Sequence, residues 1–306
     1  MDEPAFPFPP PSGGLAPAIR GVSQRLIRLD NVPGAPSVAG PAARAFCRVH
    51  ALCAAGGAPL PPRYAREVRA AAAELAGVAG WALFDAERHA AAVPFNRAAL
   101  ALARRAGDRD TELLTLQNAA LRAEWLGSHR SALALARAVL VAAAPLPPRA
   151  EAVFRVRAAQ GAAATGPQWE AERAFARARA LLAWDGGRRP EPPWAWWLTE
   201  QEIDGQQGGA YQAAGQWRLA IPLLRRAAGG GHAGYRGIFA VRLLDCLLSA
   251  GAWREAEEVA AELIPAVARG ASSARTRRLL TAALGRGDRL PGVPPGLRDL
   301  LRRPAG

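Results

Sequence analysis

Glu200, Glu202 and Asp204 form the only acidic cluster of this chain that lies near aromatic residues, next to Trp194, Trp196 and Trp197. Two carboxylates act as a general acid and base only when both reach the same substrate. Glu200 and Asp204 meet that condition at i,i+4 on a helix. Acids in a first turn that follows prolines also stabilise a helix N-terminus, and this is the role expected for them. A second motif, Gly229-Gly-Gly231-His-Ala-Gly234, matches GxGxxG. A dinucleotide loop needs a strand before it and a helix after it. The residues before Gly229 read as helix, so a plain loop between helices is expected. His50, His89, His129 and His232 share no metal-ligand spacing with one another or with Cys47, Cys53 and Cys246. Every basic residue is arginine, which excludes a P-loop lysine, a Schiff-base lysine and a lysine general base. No catalytic, metal or cofactor set is expected, and the chain reads as a non-enzyme.

The elements that carry these residues are announced by a repeated word. It is plain in Gly215-Gln-Trp217-Arg-Leu-Ala220 and Gly251-Ala-Trp253-Arg-Glu-Ala256. Looser copies are Gly127-Ser-His129-Arg-Ser-Ala132 and Gly166-Pro-Gln-Trp169-Glu-Ala171, and Glu87-Arg-His89-Ala-Ala-Ala92 lacks the glycine. The closing alanines at 92, 132, 171, 220 and 256 are separated by 40, 39, 49 and 36 residues. A period of this size predicts stacked helical hairpins. Glycine would end the first helix in a left-handed cap, Trp or His would wedge between the helices, and alanine would let them approach. Small residues recur in register, at Gly80, Ala120, Ala159 and Gly208 before the word and at Ala99, Ala178 and Ala227 after it.

Composition agrees. Half of the 306 residues are hydrophobic, dominated by Ala and Leu, with no alternating pattern of a strand. No run of about 18 apolar residues suggests a membrane span. Three unpatterned cysteines and a start, Met1-Asp2-Glu3, without a basic or apolar leader predict a cytoplasmic protein with reduced thiols. The expected organisation is a Pro-rich, disordered 1–14, a short helical extension at 15–62, a repeat domain at 63–285 and a basic tail at 286–306. Hairpins are placed at 64–84 with 90–105, 110–126 with 130–143, 149–164 with 168–183, 198–213 with 217–228, and 236–249 with 253–268. A capping helix follows at 272–285.

This pattern resembles the tetratricopeptide repeat, with small residues and glycine at the corresponding places over residues 73–284. Ala73 to His89 (AELAGVAGWALFDAERH), Gly107 to Asn118 and Pro193 to Gly205 (PWAWWLTEQEIDG) are similar to the repeat region of bacterial regulators that pair an XRE-type helix-turn-helix domain with such an array. The basic run Arg25 to Asp30 resembles the linker that follows the DNA-binding domain there. Residues 1–20 are too short for a helix-turn-helix, so the likeness is to the repeat half without the reader.

The resemblance implies an all-α, right-handed α-solenoid of about five hairpins. It also implies a groove for a protein or peptide ligand and a link to transcriptional regulation; a homodimer is one state open to the chain. Carried onto this chain, the groove residues are Gln117, Asn118, Glu124, Arg157, Gln160, Gln206, Gln212, Arg242 and Asp245, with Trp194 and Trp197 from the insertion. The alternative reading starts from charge. Formal net charge is +13, and residues 272–306 hold 8 arginines against 2 acids. That excess suits a nucleic-acid partner contacted by Arg275, Arg277, Arg278, Arg286 and Arg289; it also suits a solvated capping helix.

Overall fold

The computed structural model describes residues 8–9, 13–32, 37–55, 61–142, 145–184, 190–230, 233–269 and 273–302. Among these residues all regular structure is helical, so the fold is all-α. Contacts divide the chain into two compact units, Met1–Ala119 and Ala120–Gly306. The Pro-rich residues 1–7 and 10–12, His232 and the start of the 185–197 insertion, 185–189, lie outside the described residues.

In the first unit, α1 (Leu15–Asp30) and α2 (Ala39–Ala55) both pack on α3 (Pro62–Asp85), which also pairs with α4 (His89–Ala106). Helices α1 and α2 therefore share the core of this unit rather than extending from it. Leu15, Ile19, Val22 and Leu26 of α1 are buried, whereas Leu29 is exposed. Arg20 crosses from α1 to Glu74 of α3 at 3.1 Å. The unit boundary falls inside α5 (Arg109–Trp125).

The second unit continues with α6 (His129–Ala142), α7 (Pro148–Thr165), α8 (Gln168–Leu182), a short 3-10 helix (Pro193–Trp197), α9 (Glu200–Ala213), α10 (Trp217–Gly229), α11 (Ala233–Ser249), α12 (Trp253–Ala268), α13 (Ala274–Gly287) and α14 (Pro295–Leu301). From α6 to α12 each helix packs on the next, and α7 touches α9, α9 touches α11, and α11 touches α13. These four helices form one row. The stretch after 286 belongs partly to the fold. Helix α14 packs on α12 and α13 and buries Leu297 and Leu301.

The repeated word does what its residue types require. Ala92, Ala132, Ala171, Ala220 and Ala256 are all at most 3% exposed, as close helix approach demands. At Gly80 and Gly208 a Cβ would collide with Asn96 of α4 and with Leu224 of α10. Gly127, Gly215 and Gly251 are left-handed, with φ of 76°, 71° and 71°. The copy that lost its glycine keeps the geometry: Glu87 sits at φ 60°, where an L side chain costs roughly 1–2 kcal/mol. Replacing Glu87 by Gly should raise thermal stability by about 1 kcal/mol, and Gly251→Ala should lower it by a similar amount. Paired melting curves check both. A loss of stability in Glu87→Gly would show that the 3.2 Å contact between Glu87 and His89 outweighs the strain.

One copy departs from the pattern. Gly166 is extended at φ −136°, and Trp169 is 59% exposed instead of wedged. The reason is register: Gly and Ala stand five apart in all four copies that keep the glycine, but Trp169 falls one place later than Trp217 and Trp253, at the place of Arg218 and Arg254. Trp217 and Trp253 are the first residues of their helices and pack half-buried on the core of the second unit. Trp169 is the second residue of α8, which turns it about 100° away.

No helix among the described residues is long and apolar enough to cross a membrane.

Candidate functional site

The most unusual feature of the second unit is polar and buried. Fully buried charged groups are scarce in folded proteins because losing hydration is costly. Here Arg157, Glu202, Asp245 and Arg275 are each at most 7% exposed, and Gln160 and Gln206 are buried beside them. All six lie on the row α7, α9, α11 and α13.

The groups are chained by hydrogen bonds. Arg157 donates to Gln160 Oε1 at 2.8 Å on α7. Gln160 Nε2 donates across to Gln206 Oε1 of α9 at 2.6 Å, and Gln206 Nε2 donates to Glu202 Oε1 at 2.6 Å. On the next step of the row, Gln212 Nε2 donates to Asp245 Oδ2 at 2.6 Å. Arg286 of α13 donates to Asp245 Oδ1 through Nε at 3.1 Å and Nη2 at 2.6 Å.

Helix α9 is built for this network. Its sequence, EQEIDGQQGGAYQA, has one large aliphatic residue, Ile203. Thr199 caps its N-terminus by accepting from the Glu202 amide at 3.2 Å. Glu202, Gln206 and Gly209 are spaced i, i+4, i+7, which aligns them on one stripe. At Gly209 the space of a Cβ is filled by the Arg242 guanidinium of α11, and at Gly205 by the ring of Phe239. Both glycines thus serve close packing, at a helix cost of about 1 kcal/mol each relative to alanine.

Electrostatics centre on Glu202. Burial pushes its carboxyl up from the ordinary 4.5 to about 6. The hydrogen bond from Gln206 and the charges of Arg157, Arg242 and Arg275 oppose that rise. Two of these guanidinium groups lie over indoles: Arg157 is 5.8 Å from the Trp197 ring centroid and Arg275 is 5.3 Å from that of Trp125. Such stacking orients the guanidinium plane and adds cation–π attraction.

The expected groove residues therefore fall into three groups. Arg157, Gln160, Gln206, Gln212, Arg242 and Asp245 are gathered on the row, with Trp197 beneath Arg157. Trp194 packs half-buried on the core around Phe175, and Glu124 is half-buried on α5 without joining the network described above. Gln117 is buried and donates to its neighbour Asn118 in the first unit. Glu202, Arg275, Gly209 and Trp125 belong to the site although nothing marked them as groove residues. The signal for Glu202 and Gly209 was the i, i+4, i+7 stripe in a helix nearly free of aliphatic side chains.

Other expectations change with burial. Glu200 is exposed in the first turn of α9, as a helix-stabilising acid should be. Glu202 and Asp204 are not surface acids of that kind. Asp204 accepts from Arg179 of α8 at 2.6 Å and from Arg226 of α10 at 2.8 Å, joining three helices. Glu200 and Asp204 are therefore no acid–base pair on one open face. Among the arginines proposed to meet nucleic acid, Arg275 is 3% exposed and cannot lie on a duplex backbone, and Arg286 is engaged by Asp245. Arg278 and Arg289 are exposed, and Arg277 is half-buried. Of the GxGxxG stretch, Gly229 ends α10 and Gly234 lies in the first turn of α11, so a helix and no strand precedes it, and Gly231 lies outside the described residues.

His89 and His129 begin α4 and α6, and the Nδ1 atom of each is buried without a hydrogen-bond partner. Cys246 is buried and its thiol is pushed up to about 12, first by burial and then by Asp245. It stays protonated at neutral pH. A cleft of about 70 Å³ lies among Phe175, Glu172, Gln207, Tyr211 and Gln216, well below the roughly 300–1,000 Å³ of pockets that enclose drug-sized molecules. The chain matches no protein-family model and no curated protein.

Proposed function

We propose that this chain is a non-enzymatic adaptor of tetratricopeptide type, acting in regulation, that binds a protein or peptide segment along the row α7, α9, α11 and α13. In this reading the hairpins are repeats of a right-handed α-solenoid, α13 is its cap, and the partner lies across the first helices of successive hairpins. The observation that carries it is the polar row itself. Core-forming helices bury apolar faces, yet these four place arginines, glutamines and carboxylates side by side, with two glycines seating their neighbours. The half-buried members of the row, Gln212 and Arg242, suit the backbone amides and charged side chains of an extended segment. Among the described residues of the row no nucleophile lies beside a base, which is what an acyl- or phosphoryl-transfer site needs. The link to transcription rests on the resemblance of Ala73 to His89 and Pro193 to Gly205 to the repeat halves of helix-turn-helix regulators.

The test is photo-crosslinking in the cell of origin. A photoreactive residue at Gln212, on the row, should give discrete cross-linked species. The same residue at Arg254, whose side chain is 93% exposed on α12, should not. Equal labelling at both positions, or none at Gln212, overturns the reading.

A further inference from the structure

A second polar site of this unit lies on another face of α9. Gln207, Tyr211 and Ala214 are spaced i, i+4, i+7 on that helix, which aligns them. Gln207 is one residue on from Gln206, which turns it about 100° from the row. With Glu172 and Phe175 of α8 and Gln216 before α10, these residues line the cleft of about 70 Å³ between α8 and α9. Part of its lining is apolar, with Phe175 and Ala171 buried.

The polar atoms of the lining are not balanced. Each donor group already has an acceptor in the lining itself. The Tyr211 hydroxyl and Gln168 Nε2 donate to Glu172 Oε1 at 3.0 Å and 2.7 Å. Gln207 Nε2 donates to the Tyr211 hydroxyl at 3.2 Å, and Gln216 Nε2 donates to Gln168 Oε1 at 2.6 Å. Gln207 Oε1 accepts from Arg179 at 2.7 Å, and the other end of that guanidinium is held by Asp204. Two acceptors are left over. Both donors to Glu172 reach Oε1, and among the described residues none engages Oε2. Gln216 Oε1 is buried without a hydrogen-bond partner, a costly state that an incoming donor relieves.

We propose that this cleft binds a primary alkylammonium, whose N–H groups meet Glu172 Oε2 and Gln216 Oε1 and whose carbon chain lies against Phe175 and Ala171. One carboxylate and two open acceptors call for a cation that donates. An ammonium brings three donors, two for the lining and one for water at the mouth. A guanidinium brings five in a fixed fork and would leave most of them unmet. An anion would face Glu172 with no free donor group to hold it. The cleft has roughly the volume of two waters in the liquid, enough for an ammonium head and the carbon beside it. Every basic side chain of this protein is arginine, so the ammonium belongs to another molecule, either a free amine or the lysine of a protein. The site does not depend on the peptide-binding reading, because Gln212 and Arg242 take no part in it.

The experiment is a saturation-transfer NMR titration of the full chain at 0.15 M salt and pH 7, with n-propylammonium and its neutral isostere 1-propanol. Propylammonium should bind with a Kd of about 10 mM or tighter, within reach of a ligand of this size, and at least tenfold tighter than propanol. Glu172→Gln should weaken it at least tenfold, while the new amide oxygen still accepts from Tyr211. Gln216→Met, which removes the second acceptor, should weaken it at least threefold, and Arg254→Gln should leave it unchanged. Nα-acetyl-lysine N-methylamide separates the two sources. Affinity equal to that of propylammonium assigns the cleft to a lysine side chain, and affinity tenfold weaker assigns it to a free amine. Equal binding of propylammonium and propanol overturns the proposal. So does a Glu172→Gln variant that melts like the parent and binds propylammonium as tightly. The comparison of the two probes on the parent protein decides even if Glu172→Gln fails to fold.

Discussion

Phe175→Ala should lower the unfolding free energy by about 3–5 kcal/mol. Phe175 lies on α8, is 1% exposed, and packs in a core of Val153, Val156, Ala159, Ala171, Ala178, Leu181, Leu198 and Ile203. Those residues come from α7, α8, α9 and the Leu198 that follows the 3-10 helix. One ring thus fills the gap between a hairpin, its successor and the insertion that separates them. Deleting it forfeits the transfer energy of the ring and leaves a void, which small alanine neighbours cannot collapse to fill. Phe175→Leu should cost less than about 1.5 kcal/mol, since most of the volume is kept. Eight of the nine tryptophans lie in residues 120–306, so denaturant titration followed by indole fluorescence reports mainly on this unit. A midpoint unchanged by Phe175→Ala would show that the insertion does not pack here.

Glu202→Gln should stabilise the protein near pH 7.5 by about 2 kcal/mol, and the advantage should vanish below pH 4.5. The carboxyl is raised from 4.5 to about 6 in the folded state, so the folded protein holds this proton more tightly than the unfolded chain. The stabilisation from that proton is complete below pH 4.5 and is lost as pH rises through 6. A shift of this size corresponds to about 2 kcal/mol. Glutamine stays neutral and still accepts from Gln206 Nε2, so the variant lacks this pH dependence. Comparing the two proteins at each pH cancels the titration of every other group. A variant that is less stable than the parent at pH 7.5 would mean that attraction to Arg157, Arg242 and Arg275 exceeds the desolvation cost.

These predictions concern different depths of legibility in the chain. Helix positions were readable almost throughout: the 236–249 helix begins three residues earlier, and α13 runs Ala274–Gly287 where 272–285 was expected. Such agreement has a local cause. Proline removes a donor, glycine alone tolerates a left-handed cap without strain, and alanine runs favour the helix. Trp169 shows the limit of that reasoning. The same residue type in nearly the same word is exposed, because it stands one place later in the word and so faces another way round the helix axis.

The acidic cluster marks a deeper limit. Glu200, Glu202 and Asp204 look alike along the chain, two residues apart. In the fold Glu200 meets solvent, Glu202 is buried and accepts from Gln206, and Asp204 holds α8 and α10 to α9. Likewise Arg275 reads as part of a basic surface helix and is buried against Trp125. By itself, the sequence determined the helical class, the hairpin rhythm and the small residues at the crossings, because each depends on neighbours within a few positions. Only the tertiary structure decided which polar side chains face inward and which partners they meet. Charge burial depends on groups more than 20 residues away, and no local pattern encodes the desolvation they share.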